Sequence, residues 1–354
     1  MTVHGQVATV TGVVDAGDLG VTQMHEHLIS DFRMYLPPVE PGGHGAPDDF
    51  RTQSVCLGNL YEMKTRLMND EVLRVDDIDD AVAEVAAFAL EGGRTVVDAT
   101  SIGIGRAPEA LREVSARTGV NVVMGAGWYV VESMLDEFAS RSVESLADEI
   151  VRDLTVGVGD SGIRAGFIGE VGLSWPHHPW EEKSLEAACV AQGRTGVALQ
   201  IHPGRHPGSP LLAMDAVRRH GADPARTIIC HVERTLNTVD EMVALAETGC
   251  MLEFDLFGQE SSYYFVPSFT GMPNDAGRVR FIEALCDAGY ADRILVSQDI
   301  CTCVHLTRYG GEGLHHLLRR AVPLMRRMGL DDPLIERLLV RNPARVLTGV
   351  EPPT

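Results

Sequence analysis

Apolar residues in this chain fall into short, nearly continuous runs, separated by longer stretches in which they recur at helical spacing. The runs occupy residues 21–25, 94–99, 121–126, 165–169, 197–201, 227–230, 250–254 and 293–297. Each is too short for an ordinary helix and apolar enough to be buried on both faces, the pattern of strands in a parallel sheet. Between them, Ile78, Val82, Val85, Ala86 and Ala89 line one helical face after the acidic start Asp76, Asp77 and Asp79, and Gly92-Gly93 ends the element. Val143, Leu146, Ala147, Ile150, Val151 and Leu154 mark a second amphipathic helix, and Thr238 with Glu241 forms a capping box for one that stops at Gly249. Further helices are expected over 108–118, 181–192, 210–220, 275–288 and 314–328, with a short one after Pro333.

Eight strands alternating with helices predict a closed (β/α)8 TIM barrel. An open doubly wound sheet would normally carry a glycine-rich phosphate turn after its first strand, whereas this first turn carries His25-Glu26-His27. The whole chain, 1–354, is therefore expected to be a single barrel domain with no internal linker. Residues 31–69, rich in proline and glycine (Pro37-Pro38, Pro41-Gly42-Gly43, Pro47), are too long for an ordinary connection and read as an excursion over the mouth of a site.

Composition narrows the partners. A net charge of −20 would repel nucleic acid and anionic membranes alike, which leaves a small-molecule substrate as the expected partner and a homodimer open. The 7 cysteines are odd in number and scattered, with Cys301 and Cys303 flanking Thr302, unlike a paired secretory framework. Residues 1–12 lack a basic start followed by an apolar run, and the most apolar run, 81–90, is interrupted by Glu84 and too short to span a bilayer. A cytoplasmic location is expected.

Barrel active sites lie at the C-terminal ends of the strands. Strand alternation puts His25 and His27 on one face of the first strand; the fourth ends in Glu170, the fifth in His202, the sixth in His231 and the eighth in Asp299. Taken singly, the histidines could be core residues and the acids helix caps. Glu170, however, directly follows Phe167, Ile168 and Gly169, where an uncompensated carboxylate is costly and a cation would remove the cost. One catalytic zinc uses three protein ligands plus water, so six candidates suggest two ions about 3.5–4 Å apart, with Glu170 as the natural bridge. Lys64 and Lys183 lie in the excursion and in a helix, too far away to serve as a carboxylated bridge. Nitrogen-rich ligation without thiolate favours zinc ahead of manganese, cobalt or iron.

The chain resembles the phosphotriesterase-related branch of the amidohydrolase superfamily over essentially its whole length. The resemblance rests on residues 24–28 (MHEHL), 169–176 (GEVGLSWP), 202–205 (HPGR), 230–234 (CHVER), 252–258 (LEFDLFG), Asp299-Ile300 and 308–311 (RYGG). It implies that His25, His27 and Asp299 hold the more buried ion, that His202 and His231 hold the more exposed one, and that Glu170 bridges them. Glutamate stands here where organophosphate-degrading members carry a carboxylated lysine, which argues against efficient phosphotriester turnover. The implied activity is hydrolysis of a small carbonyl compound, first the amide of an N-acylated amino or sulfonic acid, then a lactone or ester. Two cations would lower the pKa of a bridging water to give hydroxide, with Asp299 as the catalytic residue that takes and passes on the proton. The competing class is a ligand-binding protein on a retired hydrolase barrel, which would be expected to have lost part of its ligand set.

For substrate contact, Arg205 and Arg308 each offer a guanidinium fork for an anionic end, although either could form an ordinary salt bridge. Trp128, Tyr129, Trp175, Tyr263 and Tyr264 could wall a small pocket or pack beneath loops. Gly310-Gly311 reads as a helix-opening turn, since it lacks the spacing and lysine of a nucleotide loop.

Overall fold

In the computed structural model, residues 4–36, 48–66, 68–260 and 271–352 are described. Eight parallel strands form the centre: β1 (Thr22–Glu26), β2 (Thr95–Asp98), β3 (Asn121–Ala126), β4 (Phe167–Gly172), β5 (Leu199–His202), β6 (Thr227–Ile229), β7 (Met251–Phe254) and β8 (Ile294–Val296). They neighbour one another in chain order. The ends of the sheet meet where the His25 N–H donates to Ser297 Oγ at 2.9 Å and the Asp299 N–H donates to the His25 carbonyl at 3.1 Å. The result is a nearly closed TIM barrel, a single domain, with every strand at its expected place.

Helices follow the strands in turn: α1 (Ile78–Leu90), α2 (Pro108–Thr118), α3 (Val143–Thr155), α4 (Pro179–Thr195), α5 (Ser209–Arg219), α6 (Val239–Ala246), α7 (Asp275–Asp287) and α8 (Val322–Met328). The starts expected for α1 and α6 hold, whereas the last helix, expected from 314, opens with a π-type turn over Leu317–Ala321 before Val322. Asp77 caps α1 by accepting from the N–H groups of Asp79 and Asp80, and Thr238 and Glu241 form the reciprocal box that opens α6. Each helix lays its apolar stripe on the sheet; in α3 that stripe is Leu146, Ala147, Ile150 and Leu154, all buried.

The barrel interior is divided by height. Met24, Val97, Val123, Phe167, Ala198, Ile228, Met251 and Leu295 fill the lower part, and Val7, Leu19, Ala344 and Leu347 seal it from below. Two of those seals depart from the sequence expectation. An antiparallel hairpin, Gln6–Thr9 with Gly12–Asp15, supplies Val7. The short helix expected after Pro333 instead runs on through a π-type turn, Arg337–Arg341, into Asn342–Thr348, which packs against the floor. Pro343 sits just after that wider turn, where its missing N–H disturbs the ladder least.

The long segment after β1 has structure of its own. Ser30–Asp31 pairs with Arg74–Val75, and short helices span Asp48–Thr52 and Leu60–Arg66. The fully buried Asn69 ties it together: its amide donates to the carbonyls of Phe50 and Gln53, and its oxygen accepts from the N–H groups of Glu71 and Val72.

Candidate metal centre

Above the apolar layer the inward-facing residues turn polar, beginning where β3 and β4 press together. A side chain on Gly125 would put its Cβ 1.9 Å from the Gly169 carbonyl oxygen, so only glycine fits there. The β4–β5 register shifts between Ile168 and Val171, and the bulge brings Glu170 among the histidines. Two ligand candidates at strand ends, His231 (φ 53°) and Asp299 (φ 52°), adopt the left-handed conformation that side chains disfavour. Neighbouring carboxylates stabilise each one. The His231 N–H lies 3.1 Å from both oxygens of Asp255, and Glu26 accepts from Ser297 Oγ, Gln298 N–H and Ile300 N–H on either side of Asp299.

The six residues singled out from the strand ends all converge. His27 Nε2 stands 3.3 Å from Asp299 Oδ1 and 3.4 Å from Glu170 Oε1, while His25 Nε2 stands 3.6 Å from Glu170 Oε2 and 3.7 Å from Asp299 Oδ1. Two donors each about 2.1 Å from a tetrahedral ion stand about 3.4 Å apart, so these separations suit a shared cation better than direct hydrogen bonds. Consistent with that, both ring nitrogens of His25 and Nε2 of His27 are buried without a hydrogen-bond partner. The donor set fits a divalent metal. The second group is drawn tighter: His202 Nδ1 lies 2.8 Å from Glu170 Oε2 and 3.0 Å from His231 Nε2, so an ion there would have to part them slightly.

Outer contacts aim the rings. His27 Nδ1 meets Thr100 Oγ1 at 2.9 Å, and His231 Nδ1 meets Asp255 Oδ1 at 2.8 Å, which leaves each Nε2 turned to the cluster. Burial lowers the pKa of His202 well below the usual imidazole value and that of His231 to about 4, the Arg234 charge adding to both, so these rings keep their lone pairs. Burial would also lower His27, but the adjacent Asp299 and Glu170 carboxylates outweigh it and raise His27 to about 9. Asp299 moves the other way, to about 2, because contact with His27 and the charges of His231 and His25 overcome the effect of burial. Among the described residues, then, a proton on His27 takes the electrostatic place that a cation would fill.

A cavity opens onto this cluster, with Phe32, Tyr35, Tyr129, Arg205 and Arg234 in its wall beside His27, Glu170, His202 and Asp299. Of the residues expected to touch substrate, Arg205 and Tyr129 are there; the Tyr129 hydroxyl is 3.1 Å from that of Tyr35 and 3.2 Å from His202 Nδ1. Arg308 is not. It is exposed and pairs with Asp80 at 2.8 Å and Asp77 at 3.6 Å, because its short helical turn faces the N-terminus of α1. Trp128 is buried against Phe138 under a loop, and Trp175, 37% exposed, stacks on His206 at 3.9 Å outside the cavity wall. Tyr263 and Tyr264 lie outside the described residues. Lys183 donates to three backbone carbonyls far from the cluster, as expected.

Sequence reasoning missed Asp255, Thr100 and Arg234. Asp255 and Arg234 were legible only as charges inside otherwise apolar strand-end segments.

Comparison with known proteins decides the lineage. The sequence model of the Phosphotriesterase family matches residues 5–347. The chain belongs to the phosphotriesterase family. A relative from Dictyostelium discoideum named N-acetyltaurine hydrolase is 37% identical over 98% of this chain and 99% of its own length. Among solved structures, a resiniferatoxin-binding protein from Rhodobacter sphaeroides superposes with a TM-score of 0.92 at 39% identity, covering 98% of this chain and 95% of that one. A mutant PTE-like lactonase from Deinococcus radiodurans gives 0.74 at 26% identity, covering 96% and 99%. Like its relatives in this phosphotriesterase family, the chain is a metal-dependent hydrolase. No helix among the described residues is long and apolar enough to cross a membrane.

Proposed function

We propose that this hydrolase holds two divalent ions, zinc by the chemistry of its donors, and cleaves the amide of a small N-acylated amino or sulfonic acid. His25, His27 and Asp299 would hold one ion, His202 and His231 the other, and Glu170 both. The observation that carries this reading is the set of carboxylate and imidazole donors 3.3–3.7 Å apart around ring nitrogens that nothing else satisfies. A retired barrel would have little reason to keep such a set intact. The N-acetyltaurine hydrolase relative supports the amide class.

When bound, the metal pair supplies Lewis acidity and an activated water. The protein does the rest. Asp299, ionised down to about pH 2, is poised to take the proton of the attacking water and return it to the departing amine nitrogen. Burial raises the Tyr129 hydroxyl well above its usual range, so it stays protonated as a hydrogen-bond donor in the cavity wall. The start of the segment after β1, through Phe32 and Tyr35, covers the mouth and limits the substrate to a small one. Seven unpaired cysteines support a cytoplasmic setting.

The test is elemental analysis beside hydrolysis of N-acyl amino and sulfonic acids, lactones and a phosphotriester, for wild type and Asp299→Asn. Two metals per chain with an amide cleaved by wild type alone is the expected result. Failure to take up metal on reconstitution would overturn the reading. Turnover confined to lactones would transfer it to the ester-like class, which the lactonase neighbour favours.

A further inference from the structure

The cavity is bipolar. Glu170 and Asp299 stand with the histidines, and two guanidinium groups, Arg205 and Arg234, contribute to the same wall. Arg205 is partly exposed, with its guanidinium carbon 5.9 Å from the Tyr35 ring centroid. Arg234 is buried to 1% exposure, and it reaches that position because His231 turns left-handed and starts the short helix Val232–Thr235 beneath the mouth.

One contact of Arg234 is informative about the loaded state. Its Nη2 lies 3.0 Å from His202 Nε2 and can only donate, so that nitrogen must present its lone pair and the ring proton must sit on Nδ1, 2.8 Å from Glu170 Oε2. Nδ1 is also the His202 nitrogen that faces His231 and Glu170. A metal on Nδ1 would move the ring's single proton to Nε2, and two donors would then face each other at hydrogen-bonding distance. The guanidinium would have to give up His202, and the cavity whose wall it already forms is open to it.

Resting on the amide-hydrolase reading above, we propose that Arg234, with Arg205 beside it, is the seat for the anionic end of the substrate and the determinant of acid-bearing over neutral amides. Bound there, an acid group leaves its acylated nitrogen directed at the carboxylate and histidine wall. Arg308, which the sequence offered for this role, is tied to α1 and has no part in it.

The test uses butane-1-sulfonate and its neutral methyl sulfone, which lack a bond to cleave, titrated calorimetrically into the zinc-loaded protein. Wild type is expected to prefer the sulfonate by on the order of 100-fold, the scale of charge-assisted hydrogen bonds to guanidinium. Arg234→Gln should reduce the preference to within about threefold and Arg205→Gln should reduce it by about tenfold. If Arg234→Gln does not fold by circular dichroism, Arg234→Lys takes its place and should still lower the preference at least about threefold. No preference in wild type, or a preference that survives in the folded Arg234 variant because the sulfonate simply sits on zinc, would overturn the proposal. Hydrolysis of an N-acyl aminosulfonate is measured separately. Charge preference without hydrolysis would sink the hydrolase reading and leave the seat standing; hydrolysis without charge preference would sink the seat alone.

Discussion

Burial and the neighbouring Glu253 and Asp299 raise the Asp255 carboxyl well above its usual range, so it is with cations in the cluster that replacing it by asparagine removes a charge, and the effect on metal binding can be worked out from its contacts. Asp255 Oδ1 lies 2.8 Å from His231 Nδ1, both of its oxygens lie 3.1 Å from the His231 N–H, and Oδ2 lies 3.4 Å from His25 Nδ1. It therefore keeps the His231 proton on Nδ1, aims the Nε2 lone pair at the cluster, and supports the left-handed backbone of that residue. A hydrogen bond to a charged group contributes about 1.5–3 kcal/mol and a neutral one about 0.5–1.5 kcal/mol, so neutralising Asp255 should cost His231 about 1–1.5 kcal/mol of support. The asparagine amide can also present its NH2 to Nδ1, which would favour the wrong tautomer. Together these effects should weaken zinc binding by about 10–100-fold, the range typical of outer-shell partners of metal-bound histidine. Competition between the protein and a chromophoric chelator reads this directly; on the two-ion proposal, one zinc step moves more than the other. Equal affinities for wild type and a folded Asp255→Asn would refute the argument that this carboxylate orients a ligand.

Other outcomes follow from the same structure. In metal-free protein the raised His27 pKa stabilises the fold fully below its ordinary value near 6.5, and that contribution is lost as pH rises through about 9. Zinc must displace the same proton, so uptake below pH 9 should release about one proton more than above it, and calorimetry in buffers of different ionisation enthalpy would expose a constant release as contrary. Asn69→Ala deletes the four hydrogen bonds of a buried side chain and should cost about 3 kcal/mol in urea unfolding; a loss under about 1 kcal/mol would mean the segment is held elsewhere. Arg308→Ala should leave both KM and melting temperature within error, and a marked rise in KM would restore it as a substrate contact.

The strands were legible because each is buried on both faces, a demand that leaves an unbroken apolar run. The strand-end ligand candidates were legible for the same reason, since a histidine or acid closing such a run stands out against it. What escaped notice obeys weaker rules. The hairpin around Gly12 has strands of four residues, one of them mostly exposed, so alternation has little room to show. The terminal helix continues past Pro343 because a π-type turn absorbs the disturbance, which no local propensity announces. Sequence reasoning singles out Arg308 and not Arg234, although Arg234 stands only three positions past His231, because nothing local in the sequence says which guanidinium turns inward. Only the left-handed turn at His231 sends one inward, while the acidic start of α1 captures the other.

The floor of the barrel has a practical consequence. The Gly5 N–H donates to the Thr348 carbonyl at 3.1 Å, so positions near the two ends of the folded body meet beneath the apolar plug, on the side opposite the mouth. A peptide bridge of a few residues could join them, and new ends could then be cut into an exposed helix–strand turn such as Gly159–Gly162 with little change to the catalytic face. For the same reason, attachment to a bead or a fused partner through either end would present the cavity outward.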